Sequence, residues 1–385
     1  MICPKCDAPG MKRNGMGRGY CPSCRAYPPL PPERTPAEIE EATLARQGWA
    51  PDHGISTPLP LGQKLRGTST LIDKRTGEQV LQWVKSNEDA EEQAAIQESI
   101  ILALQEKVHG LAKPIALKTK RALVDSLSAY IIGDAHFGAY AWSAETGGED
   151  FDTAIASADL RGAIDLLVDG APASETAFLV DVGDYLHADN RSNATPASGN
   201  LLDVDTRYQR VIRVAMDAMR YCVGRMLQKH AKVKVFIVPG NHNPDSAGWM
   251  AMVMESYYHN EPRVEVETSP SKFFYERFGK NLIGLTHGDK IKLGELPSIM
   301  ACDRPEEWGS TQHRFWWTGH IHHTKHQEYR GCTVEAFNSL AAGDAWHAAS
   351  GYRAARQMQR IDLDREEGIY NRGIASIGMI RKAAA

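Results

Sequence analysis

Five stretches of this chain set carboxylates, amides and imidazoles at short spacings. They are Asp134-Ala135-His136, Gly183-Asp184-Tyr185-Leu186-His187, Gly240-Asn241-His242, Thr286-His287-Gly288-Asp289 and Gly319-His320-Ile321-His322. One Asp-x-His triplet carries little weight, because such triplets arise by chance. Recurrence changes the weight. Each stretch follows an apolar run: Ala129 to Ile132, Phe178 to Val182, Val233 to Val238, Leu282 to Leu285 and Phe315 to Trp317. Runs of this length and composition read as buried strands. Open α/β sheets place their chemistry just outside the carboxyl ends of such strands. Carboxylate and amide oxygens with imidazole nitrogens suit divalent cations, Mn²⁺ first, with Mg²⁺, Fe²⁺ and Zn²⁺ as alternatives. The pattern predicts a metal site.

Taken in order, the five motifs resemble those of calcineurin-like metallophosphoesterases, over roughly residues 128–325. Gly183-Asp184-x-x-His187 is most similar to the branch of DNA double-strand-break repair exonucleases. The resemblance implies a layered α/β fold, mixed β-sheets flanked by helices, holding two divalent metals. It implies that Asp184 bridges them, in keeping with the carboxylate that a two-metal centre needs. Metal one takes Asp134, His136 and His322; metal two takes Asn241, His287 and His320. The implied reaction is phosphodiester hydrolysis by a metal-bridging hydroxide. His242 and His187 are the implied catalytic histidines, facing the substrate phosphate. There is one departure. The third motif usually continues with Asp or Glu, and here the position is Asn243, which adds no charge to orient His242. Asp245, two residues on, is the candidate replacement.

The elements that must position these residues follow from the chain around them. The chain has 385 residues, 42% hydrophobic and 24% charged, which is ordinary for a globular protein. Its longest apolar runs are strand-length, so no membrane span is expected. The start, Met-Ile-Cys, lacks a secretory apolar region, which reads as intracellular and cytoplasmic. The net charge of −4 excludes a uniformly basic nucleic-acid binder, but residues 1–34 carry six basic and two acidic side chains.

Cys3-Pro-Lys-Cys6 and Cys21-Pro-Ser-Cys24 are two knuckles separated by fourteen residues. Four thiolates at this spacing fit one structural Zn²⁺, ahead of disulfides or a redox pair. Residues 1–27 resemble a zinc ribbon, a module that contacts nucleic acid or protein. Residues 28–87 are predicted to hold a stiff Pro28–Pro32 spacer, a helix capped by Thr35, and a basic hairpin. The hairpin strands are Thr68 to Ile72 and Val80 to Val84. Helix plus basic hairpin is read either as a winged-helix-like module or as a small adaptor. Residues 88–121 are expected to connect, through a helix from Asn87 to Leu111, to a catalytic domain at 122–385.

In that domain helices are expected at Ala154 to Val168 and Thr206 to Lys229. Further strands are expected at Val264 to Val266, Lys272 to Tyr275, Cys332 to Phe337 and Arg360 to Leu363. The polar loop Leu186 to Val204 should line the site, with Asp189, Asn190 and Arg191 as substrate contacts. Trp316 and Trp317 are read as core, and Asp181 as a buried hydrogen-bond partner. His323 and His326 are assigned to the strand after the last motif. Cys222, Cys302 and Cys332 are read as buried thiols, and His347 has no assigned position.

The leading functional reading is a metal-dependent DNA nuclease, its N-terminal modules targeting nucleic acid. Similarity to proteins encoded by bacteriophages and prophages points the same way. The alternatives are a phosphatase or phosphodiesterase of a small nucleotide, and a non-catalytic binding scaffold. By resemblance, a homodimer and an ATPase or other protein partner are the expected associates, and no membrane.

Overall fold

The computed structural model describes residues 101–118 and 124–384 continuously, and before them 12–13, 19–20, 63–72, 79–88 and 99. The four N-terminal cysteines, the Pro28–Pro32 spacer and the Thr35 cap lie outside the described residues. The chain divides into two units, 1–99 and 100–385.

In the first unit, β1 (Lys12–Arg13) pairs antiparallel with β2 (Gly19–Tyr20), between the two cysteine pairs. β3 (Gln63–Ile72) and β4 (Gln79–Glu88) form an antiparallel hairpin. It is longer than the alternation of residues predicts. Asn87 and Glu88, expected to open a helix, pair instead with Lys64 and Gln63. The ladder satisfies their backbone groups, and among the described residues helix is found at Ser99 and 101–108.

In the second unit, the chain after that helix is stitched down by backbone bonds. The Gly110 and Lys118 N–H groups donate to the carbonyls of Ser256 and Gln228 (both 2.8 Å). Two sheets follow. The first has the order β15-β14-β5-β6-β7-β8, with β5 (Val124–Ile132), β6 (Ser174–Asp181), β7 (Lys232–Ile237) and β8 (Val264–Val266) mutually parallel. β14 (Gln357–Asp364) and β15 (Gly368–Ser376) add antiparallel strands at one edge. The second sheet has the order β12-β13-β11-β10-β9. β10 (Asn281–Leu285), β11 (His313–Thr318) and β13 (Cys332–Ala336) run parallel, and β9 (Phe274–Phe278) and β12 (Lys325–Tyr329) antiparallel to them.

Side chains two apart on a strand share a face. Leu127, Ala129 and Ile131, with Phe178, Val180 and Phe236, meet Phe274, Ile283, Leu285 and Trp317 in one core between the sheets. The alternate residues, such as Tyr130, Leu179 and Val235, face helices Thr153–Asp169, Tyr208–Leu227 and Ser246–Tyr257. Behind the second sheet, Leu282, Trp316 and Val334 pack on helix Leu296–Asp303. Each fully buried Leu, Ile or Phe contributes roughly 1.5–3 kcal/mol. The result is a helix–sheet–sheet–helix layering, the mixed α/β architecture the sequence predicts.

Trp316 and Trp317 are buried as expected, as are Cys222 and Cys332. Cys302 is a correction: it is exposed in the last turn of helix Leu296–Asp303, whose inward positions are Leu296, Pro297 and Met300. The strand expected at Lys272 to Tyr275 runs instead from Phe274 to Phe278, in register with β10. His326 lies in β12, whereas His323 precedes it in a turn. No helix among the described residues is long and apolar enough to cross a membrane.

Candidate metal centre

All five motif stretches leave the carboxyl ends of parallel strands: β5, β6 and β7 in one sheet, β10 and β11 in the other. Face-to-face stacking turns side chains distant in sequence toward one rim. The turns that do this are strained. Asp134, His136, Asp184, His320 and His322 all have positive φ, between 38° and 71°. Non-glycine residues seldom adopt that region, and such strain persists where the surrounding structure imposes it. Among described non-glycine residues only Asn193 otherwise shares it.

The loops after β5 and β6 are locked together. The His136 and Phe137 N–H groups donate to the Asp184 and Tyr185 carbonyls (3.0 and 2.8 Å), and the His187 N–H donates to the Phe137 carbonyl (3.0 Å). Glycine is required beside them. At Gly183 φ is +102°, and an added Cβ would lie 2.5 Å from Nδ1 of His287. At Gly240 a Cβ would collide with the Asp184 carboxylate.

Ligand-type atoms converge in three groups, each within 4.8 Å: Asp134, His136 and His322; Asp184, His287 and His320; and His136, His187 and His242. In the first group, Nε2 of His136 and Nε2 of His322 are 3.1 Å apart, and the latter is 3.5 Å from Oδ1 of Asp134. Both Asp134 oxygens accept the His320 N–H, at 2.9 and 3.1 Å. In the second group, Nε2 of His287 is 3.0 Å from both Oδ2 of Asp184 and Oδ1 of Asn241. Its Nδ1 lies 2.9 Å from the Val182 carbonyl, which fixes Nδ1 as the protonated nitrogen when the ring is neutral. Sequence-predicted ligands Asp134, His136, Asp184, Asn241, His287, His320 and His322 are thus brought together.

The electrostatics follow from burial. Asp134 is fully buried, which pushes its carboxyl up to about 7 against the pull of His287. Burial and neighbouring imidazoles push His187 and His322 down to about 3, and His136 well below the ordinary range. His287 goes the other way: burial opposes its charge, but the Asp184 carboxylate beside it raises it to about 10. Burial would likewise raise Asp184, and His287 holds it below the usual carboxylate range instead. Burial disfavours the charged form of His136, His187 and His322, and their ring nitrogens approach one another. Nδ1 of His187 faces Nδ1 of His136 at 3.2 Å, and Nε2 of His187 is buried without a partner. Buried carboxylates and converging imidazole nitrogens, with no Lys or Arg among them, are a donor set that fits divalent cations.

The two remaining motif histidines differ. His242 donates its backbone N–H to Oδ1 of Asp184 (2.8 Å), and its Nδ1 lies 2.8 Å from the His187 carbonyl. That carbonyl orients the ring. Asp245, the candidate replacement, is exposed and gives its backbone N–H to Asp189, while Asn243 is buried with neither amide atom bonded. His187 is buried, its ring 5.2 Å from His242 and nearly parallel to it.

The other expected contacts are placed differently. Asp189 is buried, and its two oxygens accept the Asp245 and Ser246 N–H groups (3.0 and 2.8 Å), anchoring the start of helix Ser246–Tyr257. Asn190 accepts the Ser192 N–H (2.7 Å) in a local turn, and Arg191 lies beside the Gln209 amide. Asp181 accepts the Gly183 N–H (3.1 Å), so it holds the turn that presents Asp184 rather than any imidazole.

A cavity of about 730 Å³ adjoins the centre at His322, the one candidate ligand that lines it. Its wall includes His322 and His347, then Tyr352 and Arg353, and none of Leu186 to Val204. His347 is the residue that sequence alone does not place. Its ring stacks on His322 at 4.9 Å, and its Nδ1 is 2.7 Å from Oδ1 of Asp344. It stands on a short helix, Ala345–Ala349, so no strand-end signal marks it. Ser339 is also unassigned by sequence: its Oγ–H donates to the Asp134 carbonyl (2.7 Å). Here a signal exists, since Asn338-Ser339 follow β13 as the five motifs follow theirs.

No family model matches the chain, and no curated protein does either. Solved structures do. A conserved uncharacterized protein of Streptococcus pneumoniae, described as a predicted phosphoesterase, is 12% identical with a TM-score of 0.27, over 66% of this chain and 99% of that one. Wild-type Vps29 of Entamoeba histolytica, complexed with zinc, is 11% identical with a TM-score of 0.28, over 65% and 98%. A 5′-nucleotidase precursor from Thermus thermophilus is 12% identical with a TM-score of 0.30, over 65% and 54%. At such identities and TM-scores no chemistry passes from these proteins to this chain.

Proposed function

We propose that the chain is a calcineurin-like metallophosphoesterase, a two-metal phosphodiesterase whose substrate is DNA. The observation that supports this is the pair of separate triads, Asp134-His136-His322 and Asp184-His287-His320, on one rim of two facing sheets. Two bound divalent cations would neutralise phosphate charge and ease deprotonation of an attacking water. Mn²⁺ suits the mixed oxygen and nitrogen donors. Asn241 completes the second set through its amide oxygen, 3.0 Å from His287. Asp184 touches both His287 and the His242 backbone, so it ties the second triad to the acid–base histidine.

The chain's own residues then orient and move protons. His242, with Nδ1 held by the His187 carbonyl, keeps Nε2 for the leaving oxygen of the diester. The buried His187 acts by positioning His242. The cysteines Cys3, Cys6, Cys21 and Cys24 hold one structural zinc in a ribbon that, with the β3–β4 hairpin, targets nucleic acid.

The cavity favours one second reading. A volume of about 730 Å³ is suited to a single nucleotide, which supports a small-nucleotide phosphodiesterase. Chelator-stripped protein, reloaded with Mn²⁺, separates the two. It would be offered end-labelled single- and double-stranded DNA, a generic phosphodiester and a generic phosphomonoester, with Asp184→Asn as control. DNA cleavage that returns with manganese and vanishes in the variant supports the nuclease. Turnover of small esters alone replaces it with the nucleotide reading.

A further inference from the structure

The segment Asp344 to Arg353 belongs to none of the five motifs, yet His347, Ala348, Tyr352 and Arg353 line the cavity, and Trp346 stands beside them. Asp344 caps the short helix Ala345–Ala349, accepting the His347 N–H at 3.0 Å. The helix ends at Ser350, and Gly351, with φ +80°, reverses the chain. The Tyr352 N–H then donates back to the His347 carbonyl (3.0 Å). The reversal lays Tyr352 beside Trp346, ring centroids 5.6 Å apart and planes 23° from parallel. Both rings are largely in solvent, Trp346 63% exposed and Tyr352 54%.

From the metal centre outward the rings form a series. His322 stacks on His347, His347 meets Trp346 edge-on at 5.1 Å, and Trp346 stacks on Tyr352. Next in sequence, Arg353 is exposed and bonds only carbonyls, those of Ala348 and Tyr352 (3.3 and 2.7 Å). No carboxylate neutralises it among the described residues. Arg356, by contrast, is paired with Glu149 and Asp159. Two large exposed rings are costly to leave in water unless something covers them. Stacked aromatic faces beside an unmatched guanidinium suit an unpaired base and its phosphate. A duplex, whose bases are already stacked on one another, offers no free face to these rings.

We infer that Trp346, Tyr352 and Arg353 form a subsite for an unpaired nucleobase and its adjoining phosphate, leading a single-stranded polynucleotide to the centre. The inference deepens the phosphodiesterase reading and rests on it. Trp346 and Tyr352, already stacked on each other, take the base upon an exposed ring face, and Arg353 holds the phosphate. The cavity between Tyr352 and His322 accommodates the next nucleotide.

The test is binding by the metal-free full chain, which needs no turnover. A twelve-nucleotide single strand is compared with an abasic strand of equal length and charge, and with a duplex. The wild type is expected to prefer the base-bearing single strand by roughly five- to 150-fold over the abasic one, the span for one stacked base. Trp346→Ala and Tyr352→Ala are expected to erase that preference while binding the abasic strand as before; Trp346→Phe keeps most of it. Circular dichroism and melting confirm that each variant folds. Equal binding of base-bearing and abasic strands by the wild type overturns the subsite, as does a preference that survives both alanine variants. A nucleoside monophosphate that competes at the same concentration as the strand retains the subsite but overturns the polynucleotide. Base-dependent binding without turnover of any diester retains the subsite and overturns the phosphodiesterase reading alone.

Discussion

The imidazole of His347 stacks on that of His322, ring centroids 4.9 Å apart and planes 18° from parallel. His347 is itself held by Asp344, at 2.7 Å from Nδ1. A carboxylate in that position fixes the tautomer and presents Nε2 outward. Asp344→Asn is therefore expected to lower turnover of a generic diester roughly 10- to 100-fold. Bound manganese in the reloaded protein, counted by elemental analysis, should stay at two per chain. Loss of metal alongside activity would show that the dyad merely supports His322.

Asp184, a member of the second triad, lies 3.0 Å from Nε2 of His287 and also accepts the His242 N–H. Asp184→Asn keeps the shape and removes the charge. Turnover should fall by about a hundred- to thousandfold or more, with fewer than two manganese ions retained. Unchanged metal content and turnover would remove Asp184 from the centre.

Gly183 combines positive φ with a close approach to His287. Gly183→Ala should destabilise the fold by about 1–3 kcal/mol and weaken metal binding, because the methyl must displace the imidazole. Gly248→Ala is the matched control, since nothing lies within 4 Å of the added methyl there. Denaturant unfolding of the two variants side by side decides the point.

The donor set itself predicts a stability effect. An ion that binds the folded chain and not the unfolded one stabilises it by about 2.7 kcal/mol at a hundred times its Kd. Manganese added to chelator-treated protein should raise Tm in a concentration-dependent way, and calcium far less, because imidazole nitrogen is a poor ligand for calcium. Identical melting with either ion would argue against a nitrogen-rich site.

Away from the centre, His230 is buried between Tyr130 and Ser174, whose hydroxyl oxygens lie 2.8 Å from its two ring nitrogens. Burial pushes its pKa down from 6.5 to about 4. The unfolded chain therefore binds the proton more readily, and the stabilisation is present above about pH 6.5 and lost as pH falls toward 4. The loss amounts to about 3 kcal/mol. His230→Gln cannot titrate, so the stability difference between wild type and variant should shrink across that window. A difference independent of pH would mean that His230 is not buried neutral.

The sequence by itself determined the strands and the candidate ligands at their ends. Branched apolar runs ending in glycine and a polar ligand are local signals, and β5, β6, β7, β10 and β11 lie where those signals stand. The character of the donors, oxygen and imidazole, was equally legible. What tertiary structure decided was which group meets which. Asn243 leaves a gap in a motif, and only the fold shows the His187 carbonyl, 55 residues away, orienting His242. Asp189 looks like a free loop carboxylate, and folding turns it inward onto a helix start. His347 carries no periodic or strand-end mark, because it reaches the centre by ring stacking from a helix on a distant segment. Residue type and short-range pattern record what a side chain can donate. Long-range packing alone sets whom it faces.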